Sequence, residues 1–374
     1  MPPQVSSVAP VFGLAAHLGR GLQRIATDAV FGRTRAVPRR VADLDPDYLS
    51  GLLGRRVTSV SLLDGDAGTS ARARMALTGD DVPASVFVKM PAETVATRLM
   101  GELGRLADTE VRFYRELSGQ LADVPTCHGA TFDPVTGRFV LVLEDLAAAG
   151  SCEFPDTLHP LDPDRATLIV QLLARVHATF WQRLDPYPWV YSASADATSL
   201  LTGSLANAAA RKLEGRTEIP VRAGQFIIDN YRTVAALIDR GPHTVMHGDA
   251  HPGNVYFRNG SAGLLDWQAV RRGHPSRELA YTLITGMTTA ERVQTQRDLL
   301  DVYRAELRAA GGPEIDREQL WQRFRQGALY AYIATLITAG MGGMQDENIA
   351  AKGLARSVAA LEDLDTVYAL KASM

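Results

Sequence analysis

The chain has 374 residues, 46% of them hydrophobic, a size and composition that favour two packed units over a single core. Its 39 basic side chains face 42 acidic ones, a formal charge of -3, so the cationic excess that draws nucleic acid is missing. Cys127 and Cys152 are the only cysteines, which excludes a disulfide framework and points to a reducing compartment, the cytoplasm. No apolar run reaches the roughly 20 residues that span a membrane.

Residues 1–46 read as an N-terminal extension. They are short of acids and carry Arg20, Arg24, Arg33, Arg35, Arg39 and Arg40 among small and apolar residues. That composition is compatible with a transit peptide but lacks the continuous apolar core of a secretory signal. Phe12, Leu14, Leu18, Leu22 and Ile25 recur at near-helical spacing, which predicts an amphipathic helix docked by this stripe on its own domain. Asp43-Leu-Asp-Pro-Asp-Tyr-Leu then has the form of a capped helix start, with Pro46 in the first turn.

From 47 to 146 the signals are mostly those of strands. Val57-Thr-Ser-Val-Ser-Leu-Leu and Ala71-Arg-Ala-Arg-Met-Ala-Leu flank Asp64-Gly-Asp-Ala-Gly-Thr-Ser, a glycine turn whose backbone N–H groups at Gly68, Thr69 and Ser70 are candidates for phosphate binding. A plain hairpin turn without a ligand explains the same residues, because neither glycine motif for phosphates is matched. Ser85-Val-Phe-Val-Lys89-Met sets a lysine in a β-branched and aromatic run. A helix expected from about Arg98 to Leu117 carries Leu103, Leu106, Phe113, Tyr114 and Leu117 on one stripe, and Glu110 falls on that stripe. A buried carboxylate needs a cation, and Lys89 is the predicted partner. Phe139-Val-Leu-Val-Leu143 reads as a buried strand ending at Glu144-Asp145-Leu146, where backbone groups at Glu144 and Leu146 are candidates for an adenine edge. The side chains of Glu144 and Asp145 are expected in solvent.

Residues 147–374 read as a mostly helical region, with Asp164 as a cap and Ile169, Leu172, Leu173, Val176 and Phe180 on one face. Further helices are predicted around 221–239, 290–310, 316–339 and 348–370. His177 lies on the apolar side of its helix, where a hydrogen-bonded core histidine is the expected role. Trp181, Trp189, Tyr191, Trp321, Tyr330, Tyr332, Met341 and Met344 provide either core or the wall of a site for a hydrophobic alcohol.

Within this region His247-Gly-Asp249, followed by Asn254, has the H-x-D-x4-N spacing of phosphoryl-transfer loops, in which the Asp receives a proton and the Asn holds Mg2+. Asn259-Gly260 between Val255-Tyr-Phe-Arg and Ala262-Gly-Leu-Leu predicts a hairpin, and Asn254 and Asp266 flank it almost symmetrically. Two hard oxygen donors at the hairpin base suffice for Mg2+. A polar loop without chemistry is the bland alternative. A metal hydrolase is another, since His243, His247, Asp249 and His251 are possible ligands for Zn2+ or Mn2+.

The chain resembles the phosphotransferase family that includes aminoglycoside phosphotransferases, choline kinases and ecdysteroid-kinase-like proteins. The resemblance rests on Val86-Phe-Val-Lys89, Glu110-Val-Arg-Phe-Tyr, Leu141-Val-Leu-Glu-Asp-Leu146, Leu173-Ala-Arg-Val-His-Ala178, the loop from His247 to Asn254, and Leu265-Asp-Trp-Gln268. It implies an α+β, bilobal protein-kinase-like fold, with a small β-rich N-lobe holding one long helix and a larger mostly α-helical C-lobe. It also implies ATP and Mg2+ as nucleotide and metal, a hydroxylated small molecule as acceptor, Asp249 as catalytic base, Asn254 and Asp266 on the metal, and Lys89 on the phosphates. Two positions depart from the family pattern: Gly273-His274-Pro275 stands where Gly-Asp-Pro is usual, and Glu278-Leu279-Ala280 where Asp-Leu-Ala is usual. Glu278 is expected to keep a structural acid, and the role of position 274 stays open. An aminoglycoside is polycationic and calls for a carboxylate-rich pocket, which this helical region does not advertise. The expected acceptor is therefore a hydrophobic alcohol, with an aminoglycoside, a nucleotide-sensing pseudokinase and a metal hydrolase as alternatives.

Overall fold

The computed structural model describes residues 8–148, 150, 152–196, 198–342 and 345–374, so Met344 and the first seven residues of the extension lie outside the description. The chain forms two compact units, Met1–Cys152 with Asp266–Ala269, and Glu153–Leu265 with Val270–Met374. The short segment Asp266–Ala269 thus packs with the first unit although the second surrounds it in sequence.

The first unit contains helices α1 (Val8–Phe31) and α2 (Pro46–Leu53) and strands β1 (Val57–Ala67), β2 (Ser70–Gly79), β3 (Ser85–Pro91), β4 (Cys127–Phe132) and β5 (Phe139–Glu144). Between β3 and β4 run α3 (Val95–Gly104), α4 (Leu106–Arg112) and a π turn over Phe113–Leu117, and a two-residue strand β6 (Cys152–Glu153) stands at the division between the units. The five strands form an antiparallel sheet in the order β1-β2-β3-β5-β4. Helix α2 starts as its sequence dictates: the Asp45 carboxylate accepts the Tyr48 N–H at 2.7 Å, Pro46 follows, and Gly54 at φ 65° ends the helix.

Alternation along the strands sorts the two sheet faces. Ala73, Met75, Leu77, Val86, Val88, Met90, Val140 and Val142 pack with Leu44 and Leu49 into a buried core. Arg72, Arg74, Phe87 and Lys89 fall on the other face.

Three expectations are corrected here. β1 does not stop before Asp64 but runs to Ala67, which reduces the glycine turn to Gly68-Thr69, with the Gly68 N–H on the Ser70 carbonyl at 2.9 Å. The extension is held by cross-strand ion pairs, Asp66 with Arg72 at 2.8 Å and Asp64 with Arg74 at 2.9 Å, which a run of acids and glycines does not reveal. The helix expected over 98–117 breaks at Arg105, whose left-handed φ of 54° caps α3. Helix α1 docks on its own unit as expected, with Leu14, Leu18 and Ile25 of the stripe partly buried, but the docking is fixed by polar groups beside them: the Asp28 carboxylate is fully buried against Arg98 and Arg138, Arg24 meets Glu102 at 2.8 Å, and the His17 ring bonds the Leu103 carbonyl at 3.0 Å. Phe12 and Leu22, placed in the docking stripe by periodicity, are 69% and 54% exposed. Gly21 permits the close approach, since a Cβ there would lie 3.1 Å from that of Glu102.

The second unit is helical apart from two small sheets. Its helices are α5 (Pro163–Phe180), α6 (Ser199–Leu213), α7 (Gln225–Asp229), α8 (Tyr231–Ile238), α9 (Ser276–Gly286), α10 (Thr289–Ala309), α11 (Arg317–Met341), α12 (Glu347–Asp363) and α13 (Thr366–Lys371). Strand β7 (Thr244–Met246) pairs with β10 (Arg271–Gly273), and β8 (Val255–Arg258) with β9 (Ser261–Leu264). The cap of α5 is Asp162 rather than Asp164: Asp162 accepts the Arg165 N–H at 2.8 Å, and Pro163 takes the first helical position. Leu329, Tyr332, Ile333 and Leu336 of α11 pack with residues of α6, α8 and α12 in a buried core. Trp321 stacks on Phe324 at 5.8 Å and Met341 is exposed, so neither they nor the buried Tyr332 stand out as walls of a site.

Candidate active site

In the second unit, fully buried β7 delivers the chain to His247-Gly248-Asp249. Gly248 has φ 85°, a conformation that side chains resist, and the loop turns on it. Glu278 of α9 fixes the turn from below. Its Oε1 accepts the Gly248 N–H at 2.7 Å, while Oε2 accepts the His247 N–H at 3.2 Å and meets His177 Nε2 at 2.9 Å. Burial pushes the Glu278 carboxyl up, but these donors outweigh it and hold the group below the ordinary carboxylate range. His177 is the fully buried, hydrogen-bonded histidine expected, with Tyr303 Oη at 3.0 Å from Nδ1.

Both nitrogens of His247 are engaged: Nδ1 accepts the Asp249 N–H at 3.2 Å, and Nε2 lies 2.7 Å from the Leu265 carbonyl, to which it donates. Asp249 is one-third exposed, so its carboxylate is anchored yet reachable. Tyr281 donates its hydroxyl to Oδ1 at 2.7 Å, and Asn254 Nδ2 donates to the Asp249 carbonyl at 2.9 Å. Tyr330 adds a hydroxyl bond to the Gly248 carbonyl at 2.7 Å, and Arg277 stacks 3.8 Å over the Tyr330 ring. Sequence reading missed Tyr281, and offered Tyr330 only as core or as the wall of a site, not as a partner of the loop backbone. The one available signal was helical spacing, since Tyr281 lies three residues beyond Glu278 and shares its side of α9.

The hairpin forms as Asn259-Gly260 predicts, both residues having positive φ, 52° and 75°, and Val255 pairing with Leu264. The Leu265 N–H continues the ladder to the Asn254 carbonyl at 2.8 Å. Among the described residues no three His, Cys, Asp or Glu side chains gather as metal ligands, and His243 gives Nε2 to the Asp239 carbonyl. The expected alternative of a histidine-rich metal centre at His243, His247, Asp249 and His251 therefore has no geometric support. His274 acquires a role: its Nδ1 meets the Ser276 hydroxyl at 2.8 Å and accepts the Ser276 N–H at 3.3 Å, capping α9 where the family pattern has an Asp. Burial, helped by Arg323, pushes this imidazole down to about 3, so it caps as the neutral ring.

In the first unit, Lys89 Nζ lies 2.7 Å from both oxygens of Glu110 and 2.9 Å from Asp266 Oδ1. Burial works against the lysine's charge, but Asp266 and Glu110 carry its pKa above the ordinary value. Burial pushes Glu110 up to about 7, against the pull of Lys89. Asp266 holds a left-handed φ of 59°, which Asp tolerates better than most side chains. The next residue, Trp267, is fully buried and stacks on Phe113 at 4.0 Å, anchoring the segment. Gln268 Oε1 lies 3.4 Å from the Thr69 hydroxyl, which brings the glycine turn to the same segment, with buried Ser70 following at the start of β2.

At the end of β5 the Glu144 N–H bonds the Thr126 carbonyl at 2.8 Å, and Leu146 is buried. Glu144 Oε2 accepts the Thr126 N–H at 3.2 Å. Asp145 is not in solvent as expected. It is buried, takes Arg74 Nε on both oxygens at 2.9 and 3.1 Å, and accepts the Ser85 hydroxyl at 2.7 Å.

A family model described as the phosphotransferase enzyme family matches residues 68–321. The chain belongs to this family. It is a phosphotransferase. No curated protein matches the chain significantly. Among solved structures, the phosphotransferase is similar to a choline kinase from Cryptosporidium parvum Iowa II, 10% identical, with TM-score 0.54 over 91% of this chain and 96% of that one. That likeness concerns the fold, which is the protein-kinase-like α+β fold with an antiparallel sheet and a helical unit. A macrolide 2'-phosphotransferase from Brachybacterium faecium is 14% identical over 82% of this chain and 96% of that one, with TM-score 0.47. A choline kinase from Streptococcus pneumoniae is 15% identical over 86% and 97%, with TM-score 0.46. No helix among the described residues is long and apolar enough to cross a membrane.

Proposed function

We propose that the enzyme transfers the γ-phosphoryl group of ATP to a hydroxyl of a small, uncharged or apolar acceptor, with Mg2+ as metal. The observation that carries this reading is the Lys89–Glu110–Asp266 cluster: a buried lysine held by one buried carboxylate and one partly exposed carboxylate is set to meet phosphate oxygens. The donors fit a hard cation. Asp266 offers carboxylate oxygen, and Asn254, tied through its nitrogen to the Asp249 carbonyl, keeps its amide oxygen as the donor for metal. Bound Mg2+ would neutralise charge on the phosphates.

The residues divide the chemistry. Asp249 receives the hydroxyl proton on Oδ2, since Tyr281 holds Oδ1 at 2.7 Å whereas Oδ2 has only a 3.4 Å bond from Asn254, as the acceptor oxygen bonds to phosphorus and the bond to the ADP oxygen breaks. Lys89 neutralises charge on the phosphates, and Glu110 keeps Lys89 directed. Gly68, Thr69 and Ser70 cover the phosphates, and the backbone at Glu144 and Leu146 meets the adenine.

The uncharged acceptor is supported by what surrounds Asp249. Tyr281, Tyr330 and buried Arg277 stand there, two neutral hydroxyls and a cation rather than further carboxylates, surroundings that suit a neutral acceptor better than a polycation. The test is transfer of labelled γ-phosphate from ATP to a library of hydroxylated compounds, with and without Mg2+, for wild type and Asp249→Ala. Labelled neutral or apolar alcohols from wild type alone are expected. A library won by aminoglycosides would overturn the acceptor class, and ATP binding without any transfer would favour a sensor.

A further inference from the structure

The glycine turn presents an unexpected side chain. With β1 running to Ala67, the turn is only Gly68-Thr69, and the Gly68 N–H is spent on the Ser70 carbonyl at 2.9 Å. So short a turn has few N–H groups left to cradle a triphosphate. In their place stands Arg72. It is paired directly with Lys89 in the β2–β3 register, so the two side chains project from the same sheet face. A Cβ built on Gly68 would lie 3.2 Å from Arg72 Nη2, which puts the guanidinium against the turn. The neighbouring Thr69 hydroxyl lies 3.4 Å from Gln268 in the Asp266–Ala269 segment. Arg72 also lines a cleft of about 400 Å3 with Asp64, Gly65, Asp66, Arg74 and Phe87.

The partner of Arg72 is suggestive. Asp66 takes Nε and Nη2 at 2.8 Å each, the two-pronged geometry that a phosphate also accepts. The pair is open to water, at 37% exposure for Arg72 and 65% for Asp66, and exposed ion pairs of this kind hold weakly. Arg74 on the same face differs, being committed to the side chain of buried Asp145.

We propose that Arg72 is a phosphate-binding residue of the nucleotide site, released from Asp66 to clasp the outer phosphates of the triphosphate beside Lys89. This rests on the nucleotide-binding reading of the first unit. Asp66 acts as a stand-in that keeps the fork extended and competes with the ligand, so both residues set nucleotide affinity, with opposite signs.

Calorimetric titration of full-length wild type, Arg72→Gln and Asp66→Asn with Mg-ATP, Mg-ADP and AMP tests it, with melting curves without nucleotide to confirm folding. Arg72→Gln is expected to weaken ATP at least ten-fold, ADP less, and AMP less than two-fold, while Asp66→Asn tightens ATP several-fold. Unchanged ATP affinity in folded Arg72→Gln, or equal loss for ATP and AMP, would overturn the proposal and leave the nucleotide reading standing. Wild type that binds none of the three would overturn the nucleotide reading itself, and the role of Arg72 with it.

Discussion

Asp249 shows how much a functional side chain depends on residues that carry no motif. Its backbone N–H is bonded to His247, its carbonyl to Asn254, and its Oδ1 to Tyr281 at 2.7 Å, while Oδ2 takes only a long bond of 3.4 Å from Asn254 Nδ2 and is the more weakly held of the two carboxylate oxygens. Tyr281→Phe removes a single hydrogen bond to a charged group, worth about 1.5–3 kcal/mol. Turnover should fall about ten-fold or more while the KM for ATP stays near wild type, in steady-state kinetics with saturating acceptor. Equal kcat would mean that the loop alone orients Asp249. The sequence exposed Asp249 through its spacing to His247 and Asn254 but not Tyr281, whose approach depends on where α9 packs.

The elements around the loop are held by local chemistry of two kinds. The turn between β8 and β9 needs positive φ at both central residues, and Asn259-Gly260 supplies it. Gly260→Val should therefore cost about 1–2 kcal/mol, read as a lowered urea midpoint. The start of α9 rests on His274 in place of an acid, and its sign with pH can be worked out. The folded value, about 3, lies below the unfolded value of 6.5, so the neutral ring contributes stability in full above pH 6.5. As pH falls towards 3 the unfolded chain takes a proton that the folded one refuses, and stability drops by about 1.4 kcal/mol per pH unit from this group. His274→Asn keeps an acceptor for the Ser276 N–H and removes the titration. Its unfolding free energy should fall less steeply than that of wild type, by roughly 2 kcal/mol between pH 6.5 and 5, in urea titrations at those two values. Parallel slopes would show that another group dominates acid unfolding.

At the scale of the whole molecule, two units imply two steps in unfolding unless they couple, so a single melting temperature is a poor descriptor. Lys89 is a useful probe because it sits in the first unit with two carboxylates. Lys89→Met leaves Glu110 buried without its cation, which should destabilise that unit by about 3–5 kcal/mol and abolish phosphoryl transfer. Melting followed by fluorescence in a background where Trp267 is the single remaining tryptophan would report it, since this residue stacks on Phe113 in the same unit. Mg-ATP at 100 times its Kd should raise wild-type stability by about 2.7 kcal/mol and Lys89→Met by much less. Equal protection would remove Lys89 from the nucleotide site.

What the sequence by itself determined is whatever follows from spacing and local chemistry. The Asn259-Gly260 hairpin, the capped start of α2, the buried strand at Phe139–Leu143 and the meeting of Lys89 with Glu110 are legible because turn geometry, capping and the cost of a buried unpaired carboxylate act on a few neighbouring or periodic residues. Tertiary structure alone decided that α1 is fixed by His17, Arg24 and Asp28 beside its apolar stripe, that Asp145 is buried under Arg74, that β1 runs on to Ala67, and that Tyr281 reaches Asp249. In each case the partner is an ion pair or a hydroxyl brought up from another segment, across one hairpin for β1 and from distant parts of the chain for the rest, and periodicity records where a side chain points but not which charge it will meet there.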